Sequence, residues 1–179
     1  MIYVHLATGL EEVEALTVVD VLRRASLDVK TVSLTREKEV TGRSEITVMA
    51  DQWIGDTDYS LGEMIVLPGG QPGATHLLNH EELKERILQY HKERKYLAAI
   101  CAAPMVLGAH GVLTGKKATI YPGMESHLRD GEYQDHKVVL DGHVITSQGP
   151  GTAMEFALTL VGIMAGEAMK DKVKKELLL

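Results

Sequence analysis

Short apolar runs rich in β-branched residues alternate with amphipathic stretches along most of the chain. The runs at Ile2–Ala7, Val29–Leu34, Glu63–Leu67, Tyr96–Ile100 and Val144–Ser147 predict strands, and helical patterns fill several of the intervals between them. This alternation gives an α/β fold with a mostly parallel sheet covered by helices on both faces. The unbroken apolar run Met64-Ile65-Val66-Leu67 fits a strand buried on both sides. Shorter strands are predicted at Ile46–Met49, Ala118–Ile120 and Val138–Leu140, the last turning through Asp141-Gly142 into the next strand as a hairpin. The stretch Asp51–Leu61, with Gly55, Asp56, Asp58 and Ser60, reads as a surface loop. With no internal repeat, low-complexity tract or linker, residues 1–179 read as one domain.

Leu10 to Ala25 predicts the first helix, with Glu early and Arg23-Arg24 late, as the helix dipole favours. At 3.6 residues per turn, Ala15, Val18, Val21, Leu22 and Ala25 share one face, and Glu14 falls inside it. A carboxylate there has two readings. Buried, its charged form is disfavoured and its pKa rises, so it holds a proton near neutral pH and donates a hydrogen bond to a thiolate. At the rim it reaches water and only adds negative charge to the first turn. Glu11 belongs to the exposed first turn and serves the helix end. Val13 and Leu16 lie on the opposite side among Glu12, Asp20, Arg23 and Arg24. A second apolar face predicts a second partner, most simply a homodimer through Val13, Leu16, Asp20 and Arg24.

A composition of 45% apolar and 25% charged residues over 179 positions fits one core of ordinary size. The net charge of −6 disfavours nucleic acid, whose binding rests on neutralising phosphates with Lys and Arg. The one basic cluster, Lys170 to Lys175, reads as a solvated helix end. The opening Met1-Ile2-Tyr3-Val4-His5 reads as a strand and not as a signal peptide. The most apolar run, Leu97 to Leu113, carries Pro104, Gly108, His110 and Gly111 and is not clean enough to span a bilayer. A cytoplasmic location with no membrane contact is expected, where a lone thiol stays reduced.

Sites in open α/β sheets form where loops converge beyond the carboxyl ends of the strands. Three such loops stand out. Ala7-Thr8-Gly9 leads into the first helix, and Pro68-Gly69-Gly70-Gln71-Pro72 has glycines that let backbone N–H groups come close to a ligand. The third carries the only cysteine, Cys101, between the strand-like Tyr96–Ile100 and the helix-like Ala102–Leu107. A side chain at a sharp strand-to-helix turn is exposed and lies against N–H groups, which favour the reactive thiolate. The other reading is a buried cysteine acting as a small hydrophobe. With Cys101 as nucleophile, Gly70 and Ala102 supply two N–H donors to an oxyanion. The glycine loop matches neither the Walker pattern nor GxGxxG, so no phosphate or dinucleotide cofactor is expected. His76 and His80 have i, i+4 spacing, but no intervening acid matches HExxH and no third ligand is evident, so no metal is expected.

Four separated motifs make the chain similar to the DJ-1/ThiJ/PfpI superfamily. In order they are Glu11-Glu12-Val13-Glu14, Val66-Leu67-Pro68-Gly69-Gly70, Ala99-Ile100-Cys101-Ala102-Ala103-Pro104 and Ser147-Gln148-Gly149-Pro150-Gly151-Thr152. Length, order and Gln148 resemble most its small bacterial YajL-like branch. The resemblance implies a flavodoxin-like three-layer α/β/α sandwich of the class I glutamine amidotransferase type, usually dimeric. It implies Cys101 as nucleophile and oxidation-sensitive thiol, Glu14 as the protonated glutamate, and Gly70 and Ala102 as backbone donors. Gly69, Tyr121, Gly149 and Pro150 complete the expected substrate-binding set.

Similar proteins are described as glyoxalases that convert methylglyoxal to lactate without glutathione, as protein or nucleotide deglycases, and as oxidative-stress chaperones. Animal-type members place a histidine beside the cysteine, whereas Ala118-Thr119-Ile120-Tyr121-Pro122 puts Tyr121 there. The protease branch carries histidine directly after the cysteine, and Ala102 removes it, so peptidase activity is not expected. The expected function is a cysteine-dependent, cofactor-independent glyoxalase or deglycase acting on methylglyoxal, other 2-oxoaldehydes or their adducts. Its rival is a redox-sensing chaperone in which Cys101 is oxidised to a sulfinate stabilised by Glu14.

Overall fold

Successive side chains of a strand point to opposite faces, so a strand apolar at every position needs cover on both sides. The computed structural model, which describes residues 1–179, meets that need with one central sheet between two helical layers. In chain order the elements are β1 (Ile2–Leu6), α1 (Glu12–Arg24), β2 (Val29–Ser33), β3 (Glu39–Thr41), β4 (Thr47–Met49), β5 (Gln52–Trp53), β6 (Met64–Leu67), α2 (Gly73–Asn79), α3 (Glu81–Glu93) and β7 (Tyr96–Ile100). There follow α4 (Pro104–Ala109), β8 (Lys117–Ala118), β9 (Glu132–Tyr133), β10 (Val138–Asp141), β11 (Val144–Ser147), α5 (Ala153–Ala165) and α6 (Glu167–Glu176). The sheet runs β10-β11-β7-β6-β1-β2-β5, parallel throughout except for the β10–β11 hairpin.

The alternation is visible residue by residue. Ile2, Val4 and Leu6 of β1, with Met64, Val66, Ala98 and Ile100, enter a core shared with α1, α5 and Val173 of α6. Tyr3, Ile65, Leu67, Leu97 and Ala99 enter the opposite core with Leu77, Ile87 and Val106 of α2, α3 and α4. The architecture is the flavodoxin-like three-layer sandwich that the resemblance implied.

Four local readings are corrected. The Asp51–Leu61 stretch is not only loop: Gln52–Trp53 form β5, pairing with Val32 and Ser33, and a short 3₁₀ turn follows at Ile54–Asp56. Two residues carry no periodicity, and the pairing is fixed from outside by Asp51. Its Oδ2 accepts from the Thr31 N–H at 2.8 Å, the Thr31 hydroxyl at 3.0 Å and Arg23 at 2.6 Å. The Ala118–Ile120 strand shrinks to Lys117–Ala118, which pairs with Glu132–Tyr133 away from the main sheet. Ile46–Met49 begins at Thr47, and its partner Glu39–Thr41 has too few apolar residues to announce itself. The first helix starts at Glu12 because Glu11 is its cap, the Glu11 carboxylate accepting from the Glu14 N–H at 2.9 Å.

On the α2–α4 side, His5 of β1 is fully buried, with Nε2 2.7 Å from the Tyr59 hydroxyl and Nδ1 without a partner. Burial, aided by His80, holds its pKa down at about 3. The unfolded chain takes up this proton near the ordinary histidine value while the fold refuses it, so stability falls as pH drops from about 6.5 to about 3. Each pH unit inside that window costs about 1.4 kcal/mol. Urea unfolding of His5→Gln across this range is expected to give a flatter acid limb than the parent; equal slopes would remove His5 as the cause.

Candidate active site

β7 delivers Cys101 to the carboxyl end of the middle of the sheet, where the chain reverses direction before α4. Cys101 has φ +63°, in the left-handed region that residues with a Cβ rarely occupy. Its neighbours hold it there. The Cys101 N–H donates to the Ser147 carbonyl at 2.9 Å, and its own carbonyl accepts from the Tyr121 N–H at 2.9 Å. Two separate segments thus grip one residue from both sides, which is how a strained conformation persists. Pro104 then opens α4 at a position whose N–H has no helical partner to lose.

Of the two readings of Glu14, the buried one holds: its relative exposure is 0%. Oε2 accepts from the Gly69 N–H at 2.8 Å, and Oε1 is buried without a partner. The Cys101 side chain stands beside this carboxyl group across Gly69, near enough for each to shift the other's protonation. Only glycine fits between them, since a Cβ on Gly69 would lie 2.7 Å from both the Cys101 Cβ and Glu14 Oε2. Gly70 has φ +88°, and a Cβ there would meet the Gly9 carbonyl oxygen at 2.6 Å. The Glu11 N–H completes the seam by donating to the Gly69 carbonyl at 2.9 Å, so the glycine loop and α1 form one unit.

Burial pushes the Glu14 carboxyl up to about 7, against the hydrogen bonds from Cys101 and Gly69. Cys101 is pushed up to about 12, first by burial and then by the charge and hydrogen bond of Glu14. The Ala102 and Gly70 N–H groups pull it down. The donors expected from the sequence to favour a thiolate are therefore present but outweighed. Protonating Glu14 removes the repelling charge and turns its carboxyl into a donor toward sulfur, so acid and thiol act as one proton-sharing pair.

A cleft of about 370 Å³ opens over Cys101. Gly70, Ala102, Tyr121 and Pro150 of the expected set line it. Gly69 lies behind the thiol, and Gly149 backs the Tyr121 ring, 3.4 Å from a Cβ built on the glycine. Arg43, Gln71 and Met124 also line the cleft and were not anticipated. Arg43 sits on the β3–β4 turn, far away in sequence, and no local pattern marks it. Glu12, placed by the helical pattern on the side of α1 opposite its apolar face, is 5% exposed, with its carboxylate turned onto that same β3–β4 turn. His76 and His80 border a second cleft of about 360 Å³ at the ends of β1 and β2. Both ring nitrogens of His80 are engaged, Nδ1 by the Leu83 N–H at 3.3 Å and Nε2 by the Leu34 carbonyl at 3.1 Å, leaving none to hold a metal. No helix is long and apolar enough to cross a membrane.

Fold and site together define a mostly parallel α/β protein with a cysteine at a strained strand-to-helix turn, backed by a buried carboxylic acid. The chain belongs to the DJ-1/PfpI family, whose pattern matches residues 1–162. It is 37% identical over 181 residues to the Parkinson disease protein 7 homolog of Danio rerio, covering 98% of this chain and 95% of that protein. It is 32% identical over 171 residues to the glutathione-independent glyoxalase DJR-1.2 of Caenorhabditis elegans, covering 94% of this chain and 90% of that protein. The crystal structure of Drosophila melanogaster DJ-1beta superposes with a TM-score of 0.96 at 37% identity, over 99% of this chain and 97% of that one. The chain spans 37% and 46% of the length of the Arabidopsis thaliana relatives DJ-1 homolog B and DJ-1 homolog A.

Replacing Glu14 by Gln removes the charge that raises the thiol and keeps an amide able to donate to sulfur. The Cys101 titration midpoint, followed by thiolate absorbance, is expected to fall well below about 12 in Glu14→Gln. An unchanged midpoint would separate the two groups. The same substitution acts on stability with the opposite sign to His5. A carboxyl raised to about 7 lets the folded state keep its proton, so wild-type stability is lost as pH rises from about 4.5 through about 7, and Glu14→Gln escapes that loss.

Proposed function

We propose that the chain is a cysteine-dependent, cofactor-independent glyoxalase acting on methylglyoxal or a related 2-oxoaldehyde, with deglycase activity on aldehyde adducts as its extension. The observation that carries this reading is the proton-sharing pair of Glu14 and Cys101 beneath a cleft of about 370 Å³, large enough for a small aldehyde. The glyoxalase relative from C. elegans adds support.

The steps balance without any external oxidant. Cys101 sulfur attacks the aldehyde carbon while its proton passes to Glu14, and the new oxyanion is met by the Gly70 and Ala102 N–H groups. Glu14 hands that proton to the oxyanion, which gives a hemithioacetal and restores the carboxylate. The carboxylate then takes the proton from carbon one and returns it to carbon two through an enediol, while the carbon-one hydroxyl proton moves to the carbon-two oxygen, leaving a thioester of the 2-hydroxy acid. Water then cleaves the thioester, releasing lactate and restoring the thiol. Tyr121 flanks the cleft and orients the substrate oxygen.

A second reading is supported by the same groups: a Cys101 sulfinate would accept hydrogen bonds from the Glu14 carboxyl and the two N–H donors, which suits a redox-sensing chaperone. In either role, two copies pair through the α1 face, where Val13 is 52% and Leu16 is 41% exposed beside Asp20 and Arg24.

Lactate formation from methylglyoxal without glutathione tests the leading reading. Wild type is expected to turn over, and Cys101→Ser and Glu14→Gln are each expected to lose at least about 100-fold. A wild type that makes no lactate but suppresses client aggregation after peroxide treatment would replace the enzyme by the sensor.

A further inference from the structure

One charged residue at the cleft and one buried behind the turn that carries it are left idle by this scheme. Arg43 lines the cleft and, like Arg36, Arg94 and Arg129, has no carboxylate within salt-bridge distance, so its charge is free to meet a ligand. Glu12 is buried nearby and does no chemistry. Its Oε1 accepts from the Ser44 N–H at 2.8 Å, and Oε2 is buried without a partner. Its side chain occupies the space beside Gly42, so that a Cβ there would lie 2.8 Å from Glu12 Cγ. Around this contact the Arg43 N–H donates to the Leu10 carbonyl at 2.9 Å and the Gly9 N–H to the Thr41 carbonyl at 2.8 Å.

The residues 9–12 that receive the β3–β4 turn are also those to which the Gly69-Gly70 loop is sewn, through the Glu11 N–H. The guanidinium and the backbone donors at sulfur are thus referenced to one rigid segment. Burying an acid is expensive, and a half-satisfied one more so, unless its position is needed. Arg43 is moreover a local reversal in a chain of net charge −6, whose overall field repels anions.

We infer that Glu12 is a positioning residue that seats the Gly42–Ser44 turn so that Arg43 presents its charge to the Cys101 cleft, which thereby selects ligands bearing a carboxylate. The class comprises aldehydes that carry an acid group and the hydroxy acid released at the end of the reaction. A guanidinium meets a carboxylate through two parallel hydrogen bonds, which fixes orientation as well as adding attraction. The inference rests on Cys101 being the reacting group, and it does not require turnover.

Alkylation of Cys101 in the full chain by iodoacetate and by iodoacetamide tests it, because the two reagents share a leaving group and differ in charge. Their rate ratio cancels the reactivity of the thiol. Arg43→Gln is expected to lower the iodoacetate-to-iodoacetamide ratio by about fivefold at low salt, and raised salt to shrink the wild-type preference. Glu12→Ala is expected to lower the ratio to the same extent, while Glu12→Gln, whose amide oxygen still accepts from the Ser44 N–H, restores it. If Glu12→Ala does not fold, Gly42→Ala displaces the turn from the same side chain and is read in its place. A ratio unmoved by Arg43→Gln overturns the anion selection. One unmoved by a folded Glu12→Ala, or by Gly42→Ala, overturns the positioning role. A chain that prefers iodoacetate through Arg43 yet forms no lactate from methylglyoxal keeps this inference and refutes the proposed function alone.

Discussion

Glu14 places a carboxyl group where water cannot reach it, with one N–H and one thiol as its polar company. Ionising such a group is opposed by burial, and leaving it neutral still requires partners for its oxygens. The architecture around it follows from that constraint. α1 must enter at the height where its first turn meets the Gly69-Gly70 loop, so Glu11 takes the cap and donates its own N–H to Gly69. Gly69 must lack a side chain, and Cys101 must accept a left-handed backbone to stand beside the acid. Packing of α1 against α5 anchors the whole arrangement from the far side.

Much of this was legible in the chain. Apolar runs at β1, β2, β6, β7 and β11 have the length and continuity of strands buried on both faces, and all five lie in the main sheet. Glu14 stood out because it interrupts an apolar helical face, and Cys101 because it sits at a change of period from strand to helix. What could not be read depends on partners distant in sequence. Nothing around Gln52-Trp53 announces a strand, since Asp51 and the edge of β2 create it. Arg43 lines the cleft only because a hairpin 58 residues before Cys101 folds over it. The protonation balance was also out of reach: the N–H donors at the turn are visible as a motif, but the burial that outweighs them is a property of the closed core.

Buried titratable groups set opposing demands on the fold. His5 is held neutral and loses stability to acid, whereas Glu14 is held protonated and loses stability to base. They occupy opposite sides of the same strand layer, His5 within the tyrosine cluster of Tyr3 and Tyr59 and Glu14 against the glycine loop. Near neutrality Glu14 changes charge, and with it the repulsion that the Cys101 thiol feels.

The sheet also ends abruptly on both sides. At one edge stands β5, two residues long; at the other stands β10, where the Asp141 side chain accepts from the Lys117 N–H at 2.9 Å and draws the chain of β8 across its end. An open edge is a row of unpaired backbone groups on which a stranger's strand can grow. Here one row is too short to template a ladder and the other is partly shielded by the chain's own turn. Even with a strongly apolar interior, the folded molecule therefore offers little purchase for strand-by-strand aggregation.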